Sequence, residues 1–161
     1  MLIATDDATI TEEDPDVVSG KEATLVITDN GSLTQDILIK FDIKELRKSL
    51  PRSGVLMMHL PQSCMSAGVF VCTTRNDGWT EDTVTWSTAP TFESDGSGTK
   101  IGTFGELEGG KYVAFDVMSA LSWNTVTYQE SITFRISSDS GHACEYTSKE
   151  GGQPPKLVIE F

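Results

Sequence analysis

Ile37-Leu38-Ile39-Lys40-Phe41-Asp42-Ile43 decides the fold class. Its large apolar side chains fall at every second position, Ile37, Ile39, Phe41 and Ile43, while Leu38, Lys40 and Asp42 take the alternate ones. A period of two puts successive side chains on opposite faces of an extended backbone, so the stretch predicts a half-buried strand. The same period returns in Val113 and Phe115, in Ile132, Phe134 and Ile136, and in Leu157, Ile159 and Phe161. Residues 23–28, 54–60 and 69–74 read as further extended stretches. Turn-forming clusters separate them: Asp29-Asn30-Gly31-Ser32, Arg75-Asn76-Asp77-Gly78, residues 94–99 and Gly109-Gly110. Many short strands at such intervals predict an all-β fold, an antiparallel β-sandwich of the jelly-roll type. Its edges are expected at the first and last strands or beside the long loops.

Two short helices are expected, each opening at a Phe-Asp pair. Asp42 stands three residues before Glu45, a capping pattern followed by Leu46 and Leu50 at helical spacing and ended by Pro51. Asp116 is placed to cap residues 117–123, where Val117, Ala120, Leu121 and Trp123 can share a side. Capping accounts for both aspartates without a catalytic role. Asn30-Gly31-Ser32 matches a glycosylation sequon, but Asn-Gly is also a common hairpin-turn dipeptide, and the turn is the favoured reading.

At 161 residues the chain is expected to be one domain, residues 1–161. Twelve basic against 24 acidic residues give a net charge of −12. That charge repels phosphate backbones and anionic membranes, which argues against nucleic acid as a partner. No apolar run approaches the roughly 20 residues of a membrane helix, so no membrane insertion is expected. Met1-Leu2-Ile3 leads at once to Asp6-Asp7 rather than to a signal-peptide core, so the chain reads as an excised module. Cys64, Cys72 and Cys144 allow at most one internal disulfide; buried free thiols fit the sequence as well.

Between the strands lies Gly78-Trp79-Thr80-Glu81-Asp82-Thr83-Val84-Thr85-Trp86-Ser87-Thr88-Ala89-Pro90, two indoles bracketing a threonine-rich segment. Trp, Thr and Val suit an extended backbone, while Pro90 keeps Ala89 out of the helical region. The segment fits a buried anchor, and it also fits an aromatic platform for a sugar ring. Taken with Phe41-Asp42-Ile43, Phe115-Asp116-Val117, Ser148-Lys149-Glu150 and the closing Leu157-Val158-Ile159-Glu160-Phe161, it resembles the DNRLRE-type domain. That is a disaggregatase-related carbohydrate-binding module found beside alginate lyases and other polysaccharide-acting enzymes. The resemblance runs from about Ala4 to Phe161 and implies a noncatalytic module that tethers a larger extracellular or cell-wall protein to a polysaccharide, alginate among the options. Trp79, Trp86 and Trp123 fall on positions that recur in that family, which places them in the core. A monomeric module is expected. A structural or adhesive element that binds protein rather than sugar is the alternative, and a polysaccharide lyase or hydrolase the third.

No nucleophile elbow, His-Glu-x-x-His helix, phosphate loop or Cys-x-x-Cys pair is present. Candidate ligand-binding residues are therefore polar and aromatic side chains in loops: Arg75, Tyr112, Tyr128, His142, Tyr146 and Lys149, of which Arg75 and Lys149 could fix a uronate carboxylate. The net charge favours a neutral polysaccharide, since an acidic one would need a local basic patch or bridging cations. Six carboxylates crowd residues 6–16, and calcium takes six to eight oxygens. Asp6, Asp7, Asp14 and Asp16 are thus candidate ligands for one structural calcium ion; a solvated acidic surface explains them equally.

Overall fold

The computed structural model describes residues 1–46, 49–65, 69–74, 78–90, 105–121, 125, 128–138 and 141–161. Ten strands are found among them: β1 (Leu2–Ile3), β2 (Asp6–Thr11), β3 (Thr24–Asp29), β4 (Thr34–Asp42), β5 (Ser53–Leu60), β6 (Val69–Thr74), β7 (Lys111–Asp116), β8 (Ser131–Ser138), β9 (Cys144–Thr147) and β10 (Lys156–Glu160). They form two antiparallel sheets, an all-β sandwich. The smaller has the order β1-β10-β5-β7. In the larger, β4 is central: β8 pairs with it from Ile37↔Ile136 to Asp42↔Ser131, and β2 from Asp6↔Lys40 to Thr11↔Gln35. Gln35 pairs with both Thr11 and Thr28, so β3 approaches β4 opposite β2 and touches it only at the hairpin end. β3 then leaves to pair with β9, and β6 closes the other side on β8.

The alternation in β4 sorts its side chains between two cores. Ile37, Ile39 and Phe41 meet Leu56, Met58 and Leu60 of β5, Phe115 of β7, Ile132, Phe134 and Ile136 of β8, Tyr146 of β9 and Leu157 of β10 between the sheets. The rings interlock edge-on, Phe41 with Phe134 at 6.1 Å and Phe115 with Tyr146 at 6.4 Å between centroids. Leu38 points the other way. It packs with Ala8 and Ile10 of β2 against Trp79, Val84 and Ala89, so residues 78–90 form a lid over the outer face of the larger sheet. The strand expected to be half-buried is covered on both sides.

The Asn30-Gly31 turn is as expected, Arg75-Asn76-Asp77 and residues 94–99 lie outside the described residues, and the helices expected at the two Phe-Asp pairs shrink to single turns. Asn30 Oδ1 accepts from Ser32 N and Leu33 N, and Gly31 has φ of 82°, which lets the β3–β4 hairpin reverse. Asp42 Oδ1 accepts from Lys44 N at 2.9 Å, and Asp116 Oδ1 from Met118 N at 2.9 Å. Each aspartate opens a single 3₁₀ turn, Lys44–Leu46 and Met118–Ala120, bonding the amide two residues on. A third such turn, Lys149–Gly151, follows β9 and was not expected.

One expectation needs correction, and one left open is decided. The last strand is not an edge: β10 lies between β1 and β5, because Leu2 pairs with Leu157 on one side and Leu56 with Leu157 on the other. Of the cysteines, Cys64 and Cys144 form a disulfide, with Cα atoms 5.5 Å apart, where free buried thiols fitted the sequence as well.

Candidate functional site

The lid is held by polar contacts aimed at its indoles and its ends. Trp79 is 6 % exposed and donates its Nε1 proton to Thr133 Oγ1 of β8 at 3.0 Å. Lys40 Nζ lies 4.9 Å from the centre of the Trp79 ring and donates to the Trp79 carbonyl. At the far end Arg135 donates from Nε to Asp36 Oδ2 at 2.8 Å and from Nη1 to the Pro90 carbonyl at 2.9 Å, with its guanidinium 4.8 Å from the Trp86 ring. A planar cation can bond in its own plane while its face lies against an indole, which explains arginine at this position.

Where the lid begins, carboxylates and ammonium groups converge. Glu81 reaches back so that Oε2 accepts from Asp7 N of β2 at 3.2 Å, while Oε1 accepts from Lys149 Nζ at 2.7 Å and Lys21 Nζ at 2.8 Å. Glu81 N donates to Asp6 Oδ1 at 3.2 Å. The approach requires a glycine opposite: a Cβ on Gly20 would stand 1.9 Å from the Glu81 carbonyl oxygen. The Lys149–Gly151 turn supplies the other wall. Ser148 Oγ donates to the Glu22 carbonyl and accepts from Glu150 N, which orients Lys149 N to donate to Asp7 Oδ2 at 2.7 Å. Oxygens of Asp7, Glu81 and Glu150 then lie within 4.8 Å of one another, an acidic group of two buried carboxylates and one exposed that could bind a metal ion.

The electrostatics of the group divide by the partners each carboxylate has. Burial pushes the Asp7 carboxyl up to about 7, against the opposing pull of the Lys149 amide. Burial pushes Glu81 the same way, but the two lysines and the Asp7 amide outweigh it and hold the carboxyl below its usual range. Lys149 is lowered by burial and raised further by Glu81, so its ammonium form is favoured.

Beside this cluster, and sharing Asp6 and Lys40 with it, opens a polar groove of about 400 Å³ lined by Thr5, Asp6, Lys40, Asp42, Lys44, Glu130 and Ser131. Lys40 Nζ stands 3.5 Å from Asp6 Oδ2, so the common wall is an ion pair. Two ammonium groups, three carboxylates and two hydroxyls line it, so it offers both donors and acceptors.

Of the residues singled out by sequence, Lys149 and Asp7 meet in the cluster and Asp6 joins its rim, whereas Asp14 and Asp16 are exposed in the loop after β2. Tyr112 lies on β7, its hydroxyl donating to the Pro154 carbonyl, its ring edge-on to His59 and 4.4 Å from Lys156 Nζ. Tyr128 and His142 are exposed on two further segments. Tyr146 requires a correction: it has no exposed surface, and burial pushes its hydroxyl's pKa up, so it is a core ring and not a surface contact. Arg75 and Trp123 lie outside the described residues. Glu81 and Glu150 were missed as possible ligands. Each stands inside a quoted motif, but only the folded chain brings them to Asp7.

A search of curated proteins found no match. The model of carbohydrate-binding module family 96 matches residues 1–161, and the chain, with its lidded β-sandwich, belongs to that family.

Proposed function

We propose that the domain is a noncatalytic module that holds a larger extracellular protein on a neutral polysaccharide, with the groove beside Asp6 and Lys40 as its binding surface. The supporting observation is the groove's lining: two ammonium groups and three carboxylates, with the hydroxyls of Thr5 and Ser131. Sugar hydroxyls both donate and accept, so alternating donors and acceptors suit them. The excess of carboxylates opposes a uronate, as does the chain's net charge of −12. Binding would act by proximity, raising the local concentration of an attached partner on the glycan without breaking a bond.

Affinity electrophoresis against neutral glucans, pectin and alginate tests the reading; alginate enters through the resemblance to modules found beside alginate lyases. Saturable retardation on a neutral glucan is expected. The double change Lys44→Ala with Glu130→Ala should weaken it about tenfold, the loss expected for charge-assisted hydrogen bonds, with no change in melting temperature. Folded protein that is retarded by no glycan, or a double variant that binds as wild type does, overturns the assignment. Release of unsaturated or reducing ends by the purified domain would assign catalysis instead.

A further inference from the structure

Asp7 Oδ1 has no hydrogen-bond partner among the described residues, although Asp7 has no exposed surface. A buried carboxylate oxygen facing no donor is costly, and such an atom calls for a partner that the protein does not itself provide. Its setting says which kind. Oxygens of Asp7, Glu81 and Glu150 are mutually within 4.8 Å, the spacing of oxygens around a hard cation whose metal–oxygen bonds are about 2.3–2.6 Å. The Lys149 ammonium marks where positive charge is favoured: it stands 2.7 Å from Glu81 Oε1, 3.2 Å from the Thr5 carbonyl and 3.7 Å from Glu150 Oε1. It forms no bond with Asp7 Oδ1. The side chain is 30 % exposed, so a cation can displace its ammonium toward solvent while the Lys149 amide stays on Asp7 Oδ2.

We propose that Asp7, Glu81 and Glu150, with the Thr5 carbonyl, bind a divalent cation of the calcium class at the position shared with the Lys149 ammonium. The cation completes Asp7 and joins three parts of the chain: the start of β2, the first turn of the lid and the Lys149–Gly151 turn. Lys149 competes for the same oxygens, so it keeps the cluster neutralised when the cation is scarce and yields when it is plentiful. The donor set differs from the one suggested by the acidic run at residues 6–16, since two of its three carboxylates come from far along the chain. The proposal does not depend on glycan binding, and its readouts use no sugar.

The domain, freed of metal with chelator, is titrated with calcium chloride by calorimetry and by thermal melting. Saturable binding is expected, with melting raised by about 5 °C or more at a hundredfold excess over the dissociation constant. Glu150→Gln, a change at an exposed side chain, should weaken calcium binding about 10–100-fold while the protein stays folded. Lys149→Met gives the decisive sign. Loss of a competing cation should tighten calcium binding roughly tenfold and lower the melting temperature in chelator. No heat and no change in melting of the wild type with calcium, magnesium or manganese overturns the proposal, as does weaker calcium binding by Lys149→Met.

Discussion

Asp36 shows how one residue can be legible in kind and illegible in consequence. It stands in Gln35-Asp36-Ile37, just before the alternating run, where a carboxylate reads as an ordinary polar residue. Only the fold shows it 4 % exposed and bonded to Arg135, ninety-nine residues away. Burial raises its carboxyl above the ordinary range, and the attraction of Arg135 offsets only part of that. The pair therefore fixes geometry more than it adds stability. Asp36→Asn leaves a buried guanidinium short of its counter-charge and should cost about 3–5 kcal/mol at pH 7 in urea unfolding. Because the folded state holds the Asp36 proton more tightly than the unfolded chain, this group favours folding most below about pH 4 and contributes less as pH rises through its folded pKa. The deficit of Asp36→Asn should therefore grow as the pH falls from 7 toward 4; a deficit that shrinks would contradict the raised carboxyl.

Among the elements, the lid is the most instructive. Two tryptophans, a run of threonines and a closing proline suit an ordered, extended segment, yet residues 78–90 fold through turns and contain no strand. What the segment rests on could not be read, since its partners lie far off in sequence: Trp79 bonds Thr133, fifty-four residues away, and Asp7 meets Glu81 across seventy-four. β2 was hidden for a related reason. Asp6 and Asp7 look like surface acid, yet they begin a strand whose Ala8 and Ile10 are fully buried beneath the lid. Trp79→Ala removes the indole that fills this second core and should destabilise the domain by about 3–5 kcal/mol. Its unpartnered Thr133 hydroxyl adds to that loss. Limited proteolysis should cut the variant within residues 78–90 faster than the wild type at a temperature where both remain folded; equal rates would mean the lid is held by its ends alone.

For the whole molecule, alternation in four stretches was enough for the class: two antiparallel sheets enclosing one main core. Sheet order was not legible, because pairings such as Leu2 with Leu157 and Thr24 with Thr147 join residues from distant parts of the chain and leave no local trace. The disulfide illustrates the same limit, since three cysteines permit three pairings and spacing favours none. The pair chosen, Cys64 with Cys144, spans eighty residues and ties the segment after β5 in the smaller sheet to β9 in the larger assembly. Closing so long a loop restricts the unfolded chain, and replacing both cysteines with alanine should lower unfolding free energy by about 2–5 kcal/mol in denaturant titrations. The same bond bears on survival after damage. The lid and the groove residues Glu130 and Ser131 all belong to the ring of chain it closes. A single protease cut anywhere in that ring opens a circle instead of severing a thread, so the nicked molecule keeps its full mass, and its two pieces separate only once the sulfurs are reduced.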